Sequence, residues 1–356
     1  MLRPTPEAGA LTPYTVPSAG RRGRWRLDFN ENLLGPSPRV LERLRRIGPD
    51  DLALYPDETE ARAASARRFG IAPPLDLVLT SGVDEAIRLV CDCFVRPGER
   101  VVLLEPGYPL YRFYASLAGA SLVGVDYQEG LIFPEAAVRR EVALGARLLI
   151  LGNPNNPTGT PLPRGFASDM AGRHPGILVL VDEAYVEFAG PDRCTRPGPL
   201  PNLVIARTFS KAYGLAGLRA GILMGEAGTL SCLARIRSPY AVNSLALLAL
   251  ETALEDDEYV TRYVAEVGAA RDELCAGLSR LGIAWEPSVA NFVIARFGGR
   301  AAEIRGALRR RGVLVRDRGD HPLLRGSLRI GIGTRAAAGA CLEALASALA
   351  EGGGVR

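Results

Sequence analysis

The sequence predicts an α/β protein: a large unit with a mostly parallel, helix-covered sheet, followed by a smaller α+β unit. Three observations carry this expectation. From about residue 75, short continuous apolar runs alternate with longer helical patterns, as expected of strands covered by helices on both faces. Near residues 240–245 the alternation gives way to long Ala/Leu/Glu/Arg segments and a few separated strands. The length of 356 residues allows two or three domains, at about 150 residues each.

The elements follow in order. Residues 1–27 are rich in Pro, Gly and Arg, lack helical or strand periodicity, and read as an extended arm. L-D-L-V-L-T (75–80) reads as a strand and V-D-E-A-I-R-L-V-C-D-C-F (83–94) as a helix. R-V-V-L-L-E (100–105) is a strand and Y-R-F-Y-A-S-L-A (111–118) a helix. Further strands are expected at 121–125, 147–151, 177–181, 203–206 and 221–225. Helical segments fill 244–282, followed by V-A-N-F-V-I-A-R-F (289–297), a helix (301–311), a short strand (313–316), S-L-R-I-G-I (327–332) and a last helix (335–350). The expected domains are an N-terminal arm with part of the small domain (1–45), a large domain (46–244) and a small C-terminal domain (245–356).

Composition narrows the function classes. A net charge of +4 is small for this length, and no basic stripe marks a nucleic-acid surface. No apolar run approaches the ~20 residues of a membrane span. The N-terminus has no hydrophobic signal core, so the expected location is cytoplasmic. The six cysteines show no C-x-x-C pairing and read as reduced thiols. With only His174 and His321 besides, no metal site is expected. A G-x-G-x-x-G run between strand and helix is absent, and so is G-K-[ST].

One count points to chemistry. Of 43 basic residues a single one, Lys211, is lysine. Arginine cannot be deprotonated in a protein or form a Schiff base with an aldehyde; lysine can do both. Chance survival of one lysine is the alternative, so its neighbours decide. The run A-R-T-F-S-K-A-Y-G-L-A-G-L-R-A-G (206–221) follows a strand and places Ser210 beside Lys211 and Arg219 eight residues on. A hydroxyl and a guanidinium suit a phosphate. Upstream lie N-P-N-N-P-T-G (153–159), V-D-E-A-Y (181–185) and T-S-G-V-D-E-A (80–86). The last sits at a strand-to-helix junction, whose free N–H groups cradle anions. All four lie at carboxyl ends of strands, where open α/β sheets bind ligands.

The order S-G-x-D-E-A, P-x-Y-x-x-Y, N-N-P-T-G, D-E-A-Y and S-K-x-x-G-L-x-G-L-R resembles the fold type I aminotransferases that use pyridoxal 5′-phosphate. D-F-N-E-N (28–32), L-Y-P-D (54–57), R-S-P-Y-A-V-N (237–243), A-N-F-V (290–293), V-R-D-R (315–318) and L-R-I-G-I-G-T (328–334) narrow the resemblance to the histidinol-phosphate aminotransferases. It covers residues ~25 to ~350, with Leu33-Leu34 departing from the family pattern after N-E-N. The implied fold is that of aspartate aminotransferase, with the cofactor on the large domain.

The resemblance implies the following roles. Lys211 bonds the cofactor aldehyde and then moves a proton between the substrate carbon and the cofactor C4′. Asp182 pairs with the pyridine nitrogen and keeps it protonated; alone, it reads equally as a carboxylate capping a turn. Asn156 and Tyr185 hydrogen-bond the ring oxygen, and Tyr108 stacks on the ring, while Tyr111 and Tyr114 pack in the core. Gly82, Val83, Asp84, Ser210 and Arg219 hold the phosphate. Tyr55 reaches the phosphate of a neighbouring subunit, with a buried core tyrosine as the alternative. Arg329 grips the substrate's distal anion, Arg316 assists with a phosphate, Tyr14 closes over substrate, and Tyr240, Asn243 and Asn32 line the site. The implied enzyme is a homodimer with shared sites. It passes an amino group from histidinol phosphate to 2-oxoglutarate and the reverse. Alternatives are an aminotransferase for aromatic or other amino acids and a decarboxylase of threonine phosphate. A non-catalytic regulator would need a DNA-binding module, for which residues 1–27 are too short.

Overall fold

The computed structural model describes residues 2–13 and 19–352. Strands in chain order are β1 (Trp25–Leu27), β2 (Leu75–Thr80), β3 (Arg100–Glu105), β4 (Ser121–Asp126), β5 (Ala146–Gly152) and β6 (Leu178–Asp182). They continue with β7 (Leu203–Thr208), β8 (Gly221–Glu226), β9 (Ala284–Glu286), β10 (Phe292–Arg296), β11 (Val313–Asp317) and β12 (Ser327–Gly331). Seven form one sheet in the order β2-β8-β7-β6-β5-β3-β4, and five form a second in the order β1-β11-β12-β10-β9.

The continuous apolar runs are explained by burial on both faces. Val102, Leu104, Leu149, Leu151, Val179, Val181 and Ile205 pack on one side of the large sheet. Their neighbours Val101, Leu103, Leu148, Ile150, Leu180 and Val204 pack on the other. Side chains alternate across a strand, so a strand covered twice must be apolar at every position. Only β8 runs against the rest, antiparallel to both β2 and β7. Two reversals restore direction, so the carboxyl ends of β2, β3, β5, β6 and β7 share one edge of the sheet. The register sets Thr80 and Thr208 on either side of Gly221, and Asp182 between Gly152 and Ala206.

The N-terminal arm departs from expectation. Residues Pro6–Ala10 form a short helix capped by Thr5, and β1 pairs in parallel with β11. Three strand residues are too few to show a period, and their pairing partner lies nearly 300 positions away. β1 therefore belongs to the second sheet. The 289–297 run contributes only Phe292–Arg296 as strand, and β9 was not foreseen. Among the described residues no helix is long and apolar enough to cross a membrane, no cysteines are bridged, and no cluster could hold a metal ion.

Candidate active site

The loops leaving the shared edge enclose a cavity of about 410 Å³. It is lined by Lys211, Asp182, Tyr185, Asn156, Tyr108, Ser210 and Arg219 from the large sheet, and by Arg316, Arg318 and Arg329 from the second. Lys211 comes three residues after β7. The turn that presents it is closed by Gly214 N–H on Lys211 C=O (3.2 Å) and Leu215 N–H on Phe209 C=O (3.0 Å). Gly214 has φ +74°, and a Cβ there would lie 2.5 Å from the Gly35 oxygen, so glycine is required.

The D-F-N-E-N segment runs across this floor. Phe29 C=O accepts from Lys211 Nζ at 2.9 Å. Asp28 C=O accepts from Arg329 Nη2 at 2.6 Å, while the Asp28 carboxylate pairs with Arg21. Asn30 stands in the left-handed region (φ 56°), which asparagine tolerates better than most residues. Its amide donates to the Tyr185 hydroxyl at 3.2 Å, and Asn156 Nδ2 does so at 3.3 Å. Two amide donors on one phenol oxygen occupy its acceptor positions. The Tyr185 O–H is thereby turned elsewhere, and no protein acceptor takes it among the described residues. Arg329 Nη1 in turn donates to Asn156 Oδ1 at 2.7 Å, fixing that amide's orientation.

At the deep end, Asp182 is buried at the tip of β6. Its Oδ2 accepts from Tyr111 O–H (2.6 Å) and its Oδ1 from Ala184 N–H (3.0 Å). Burial pushes its pKa up to about 6, against the pull of these two hydrogen bonds. Among the described residues no cation pairs with it. Burial also pushes the Tyr111 hydroxyl well above its ordinary range, with the Asp182 charge adding to the effect, so it remains a donor.

At the opposite end, the helix Gly82–Phe94 begins without a side-chain cap, leaving its first N–H groups available. Arg219, itself left-handed (φ 59°), brings Nη2 to Asp84 Oδ2 (2.9 Å) and Nη1 to Ser210 Oγ (3.4 Å). Tyr108 O–H donates to the other Asp84 oxygen at 2.9 Å. Gly82 has φ +75°, and a Cβ there would lie 2.7 Å from Arg219 Nη2. The missing side chain keeps the guanidinium and the helix N-terminus around one open cradle.

Comparison with known proteins gives the family of the chain. The family model for aminotransferase class I and II matches residues 25–345. The chain belongs to the class I and II aminotransferases. A histidinol-phosphate aminotransferase of Symbiobacterium thermophilum is 40% identical over 92% of this chain and 91% of its own. One of Roseiflexus castenholzii is 40% identical over 87% and 89%. The crystal structure of histidinol-phosphate aminotransferase from Sinorhizobium meliloti, in complex with pyridoxal-5′-phosphate, superposes with a TM-score of 0.85 at 29% identity, covering 99% of this chain and 98% of that one.

Not every residue expected at the aminotransferase site is there. Asn32 does not line the cavity: its Oδ1 accepts from the Leu34 and Gly35 N–H groups (2.9 and 3.1 Å) and its Nδ2 donates to Ala212 C=O, so its amide is spent on the chain turn. Asn30, two residues earlier, faces the site instead. Asn243 caps the helix Ser244–Leu254 by accepting from Ala246 N–H (2.9 Å). Tyr240 is 53% exposed and stacks on Tyr55, which is 77% exposed, with ring centroids 4.2 Å apart. Neither ring lines this chain's cavity, and the reading of Tyr55 as a buried core tyrosine is excluded. Tyr14 lies outside the described residues. Tyr111, expected to pack in the core, is buried but also holds Asp182. Arg318, which no motif marks as a site residue, lines the cavity together with Arg316.

Proposed function

We propose that this aminotransferase binds pyridoxal 5′-phosphate in the 410 Å³ cavity and catalyses the reversible transfer of an amino group from histidinol phosphate to 2-oxoglutarate. The observation that carries the reading is the chain's only lysine standing on the cavity floor between a buried, unpaired carboxylate and a phosphate cradle. The names of the relatives support the substrate. The residues present fit the cofactor: the cradle at Gly82, Ser210 and Arg219 matches a phosphate, the Tyr185 O–H finds no acceptor among the described residues, and the Asp182 carboxylate needs a cationic partner.

When bound, the cofactor supplies an aldehyde that takes the amine and a ring that accepts the electron pair left on the substrate carbon. This chain's residues do the rest. Lys211 Nζ would hold the cofactor through its aldehyde and, as a free amine, would take a proton from the substrate carbon and return it. Such positioned proton transfer contributes on the order of 10²–10⁴ in rate. Asp182, held by Tyr111 and Ala184, would keep a proton on the cofactor's pyridine nitrogen. Tyr185 and Asn156 would donate hydrogen bonds to the cofactor's ring oxygen, and Tyr108 would pack against the ring. Arg329, tied to Asn156 and to the Asp28 carbonyl, meets the substrate's distal anion, with Arg316 beside it. Glutamate and histidinol phosphate enter this one pocket in alternation. The enzyme works as a homodimer, with Tyr55 reaching the partner's site. Six unbridged cysteines support a reducing compartment, the cytoplasm.

Borohydride reduction of the cofactor-loaded enzyme is expected to fix the cofactor to one peptide, containing Lys211. Label on the N-terminal amine instead would overturn the assignment. Single-turnover conversion by histidinol phosphate, glutamate, phenylalanine and threonine phosphate then ranks the donors. Ready conversion by phenylalanine without conversion by histidinol phosphate would replace the reading with an aromatic aminotransferase.

A further inference from the structure

We infer that Arg318 is a specificity-determining residue: with Arg316 it forms a two-guanidinium subsite that selects a dianionic phosphate over a carboxylate at the substrate's distal end. The inference rests on the phosphorylated substrate proposed above. It starts from an electrostatic conflict in the second sheet. Arg316 of β11 lies directly opposite Arg329 of β12 in the antiparallel register, and like charges facing each other across a ladder are destabilising. Arg318 follows two residues after Arg316. The two-residue alternation sends both toward the cavity, whereas Asp317 between them turns away to pair with Arg305 at 3.0 Å. The Arg318 N–H donates to Ser327 C=O (3.3 Å), so the ladder holds its backbone in place. Three guanidinium groups thus line one wall of one cavity.

The described residues do not compensate the burial of Arg318. It is 8% exposed and its Nε is buried with no acceptor. Among the described residues neither Arg318 nor Arg316 forms an ion pair. Arg316 only lies near the Phe29 ring, 5.9 Å from its centroid. Arg318 stands where the main cavity meets a second one of about 260 Å³ that shares Tyr108, Pro109 and Tyr111. Among the described residues no acidic group of that region pairs with Arg318: Glu105 is held by Arg112 at 2.5 Å, Asp126 lies 3.4 Å from His321, and Asp320, on the wall of the second cavity, forms no ion pair. A buried charge without a partner is costly and persists where a ligand compensates it. A carboxylate needs one cation and Arg329 supplies it. A phosphate dianion carries about twice the charge and three acceptor oxygens, which two further forks satisfy.

The test uses the cofactor-loaded enzyme and Arg318→Met. Removing an uncompensated buried charge is expected to leave the melting temperature unchanged or higher. In single-turnover measurements the apparent affinity for histidinol phosphate is expected to fall on the order of 30-fold or more, and at least tenfold further than that for glutamate. Competitive inhibition by inorganic phosphate is expected to weaken in parallel. Arg318→Lys, which keeps a charge but loses the fork, is expected to fall between the two, and it carries the test if Arg318→Met does not fold. Equal losses with both donors, or a lowered melting temperature with unchanged phosphate inhibition, would make Arg318 a structural residue and overturn the inference. Should wild-type enzyme fail to convert histidinol phosphate, the substrate reading falls alone. The subsite then stands if inorganic phosphate inhibits wild type more strongly than Arg318→Met, and falls if it does not.

Discussion

Asp182 accepts from Tyr111 and Ala184, yet burial still raises its pKa from 3.8 to about 6. The sign of the linkage follows. A raised carboxyl pKa means that the folded chain favours the protonated form. Its contribution to stability is fully present below about pH 4 and is lost as pH rises through about 6. Above that window the cofactor-free protein carries a buried anion at a cost of about 3 kcal/mol. Between pH 4 and pH 7, urea unfolding of the cofactor-free protein should therefore show wild type losing about that much stability relative to Asp182→Asn. Parallel curves for the two proteins would mean that Asp182 does not titrate there. A protonated ring nitrogen supplies the missing cation, so cofactor binding should shrink the difference. Single residues were also where the sequence was most and least informative. Lys211, Asp182, Ser210 and Arg219 were legible because each sits in a short motif at a strand end, so local order fixes its place. Asn30, Tyr111 and Arg318 were not. Their roles depend on what the fold brings to them: Tyr185, Asp182 and the arginine-lined wall of the cavity.

The helix Gly82–Phe94 and the turn carrying Arg219 frame one cradle whose N–H groups and guanidinium suit an anion. Arg219 accepts a left-handed backbone to place its guanidinium between Asp84 and Ser210. Its salt bridge to Asp84 is part-exposed and contributes little to stability. Geometry, not the pair's energy, is what the element provides. Gly82→Ala tests this. The alanine meets strain at φ +75° and places its Cβ 2.7 Å from Arg219 Nη2, which must then move. Stability should fall by about 1 kcal/mol from the backbone alone. Cofactor affinity should fall by an additional factor on the order of ten or more, through the displaced guanidinium. Equilibrium dialysis of the cofactor and thermal melts separate the two effects, and lower stability with unchanged affinity would show that the cradle does not hold the phosphate. The central strands β3, β5, β6 and β7 were legible because nearly all their positions are buried. β1 and β9 were not, since three residues give no period and their pairing is set by β11 and β10.

At the scale of the whole molecule, the feature one chain leaves unexplained is the stacked pair Tyr55 and Tyr240. Both are well exposed, and Leu52, Leu54 and Ile236 are exposed in the same two chain segments. Large apolar groups gathered on a surface favour association, and a two-fold dimer is the commonest solution. The tie is reinforced by Arg237, which pairs with Glu58 and binds the two segments together. Sedimentation should therefore give twice 38.0 kDa, and a fully active monomer would end the idea. A mixing experiment decides whether Tyr55 serves the partner's site. Tyr55→Ala and Lys211→Ala homodimers should each be impaired in both sites. In a hybrid, the Tyr55→Ala subunit keeps its own Lys211 and receives an intact Tyr55 from its neighbour, so one site is whole. Equal mixing with free exchange makes half the dimers hybrid, and activity should return to about a quarter of wild type. If Tyr55 acted within its own chain, each site of the hybrid would carry one defect and nothing would return. Recovery on mixing thus separates a site completed across the dimer from one that each chain builds alone.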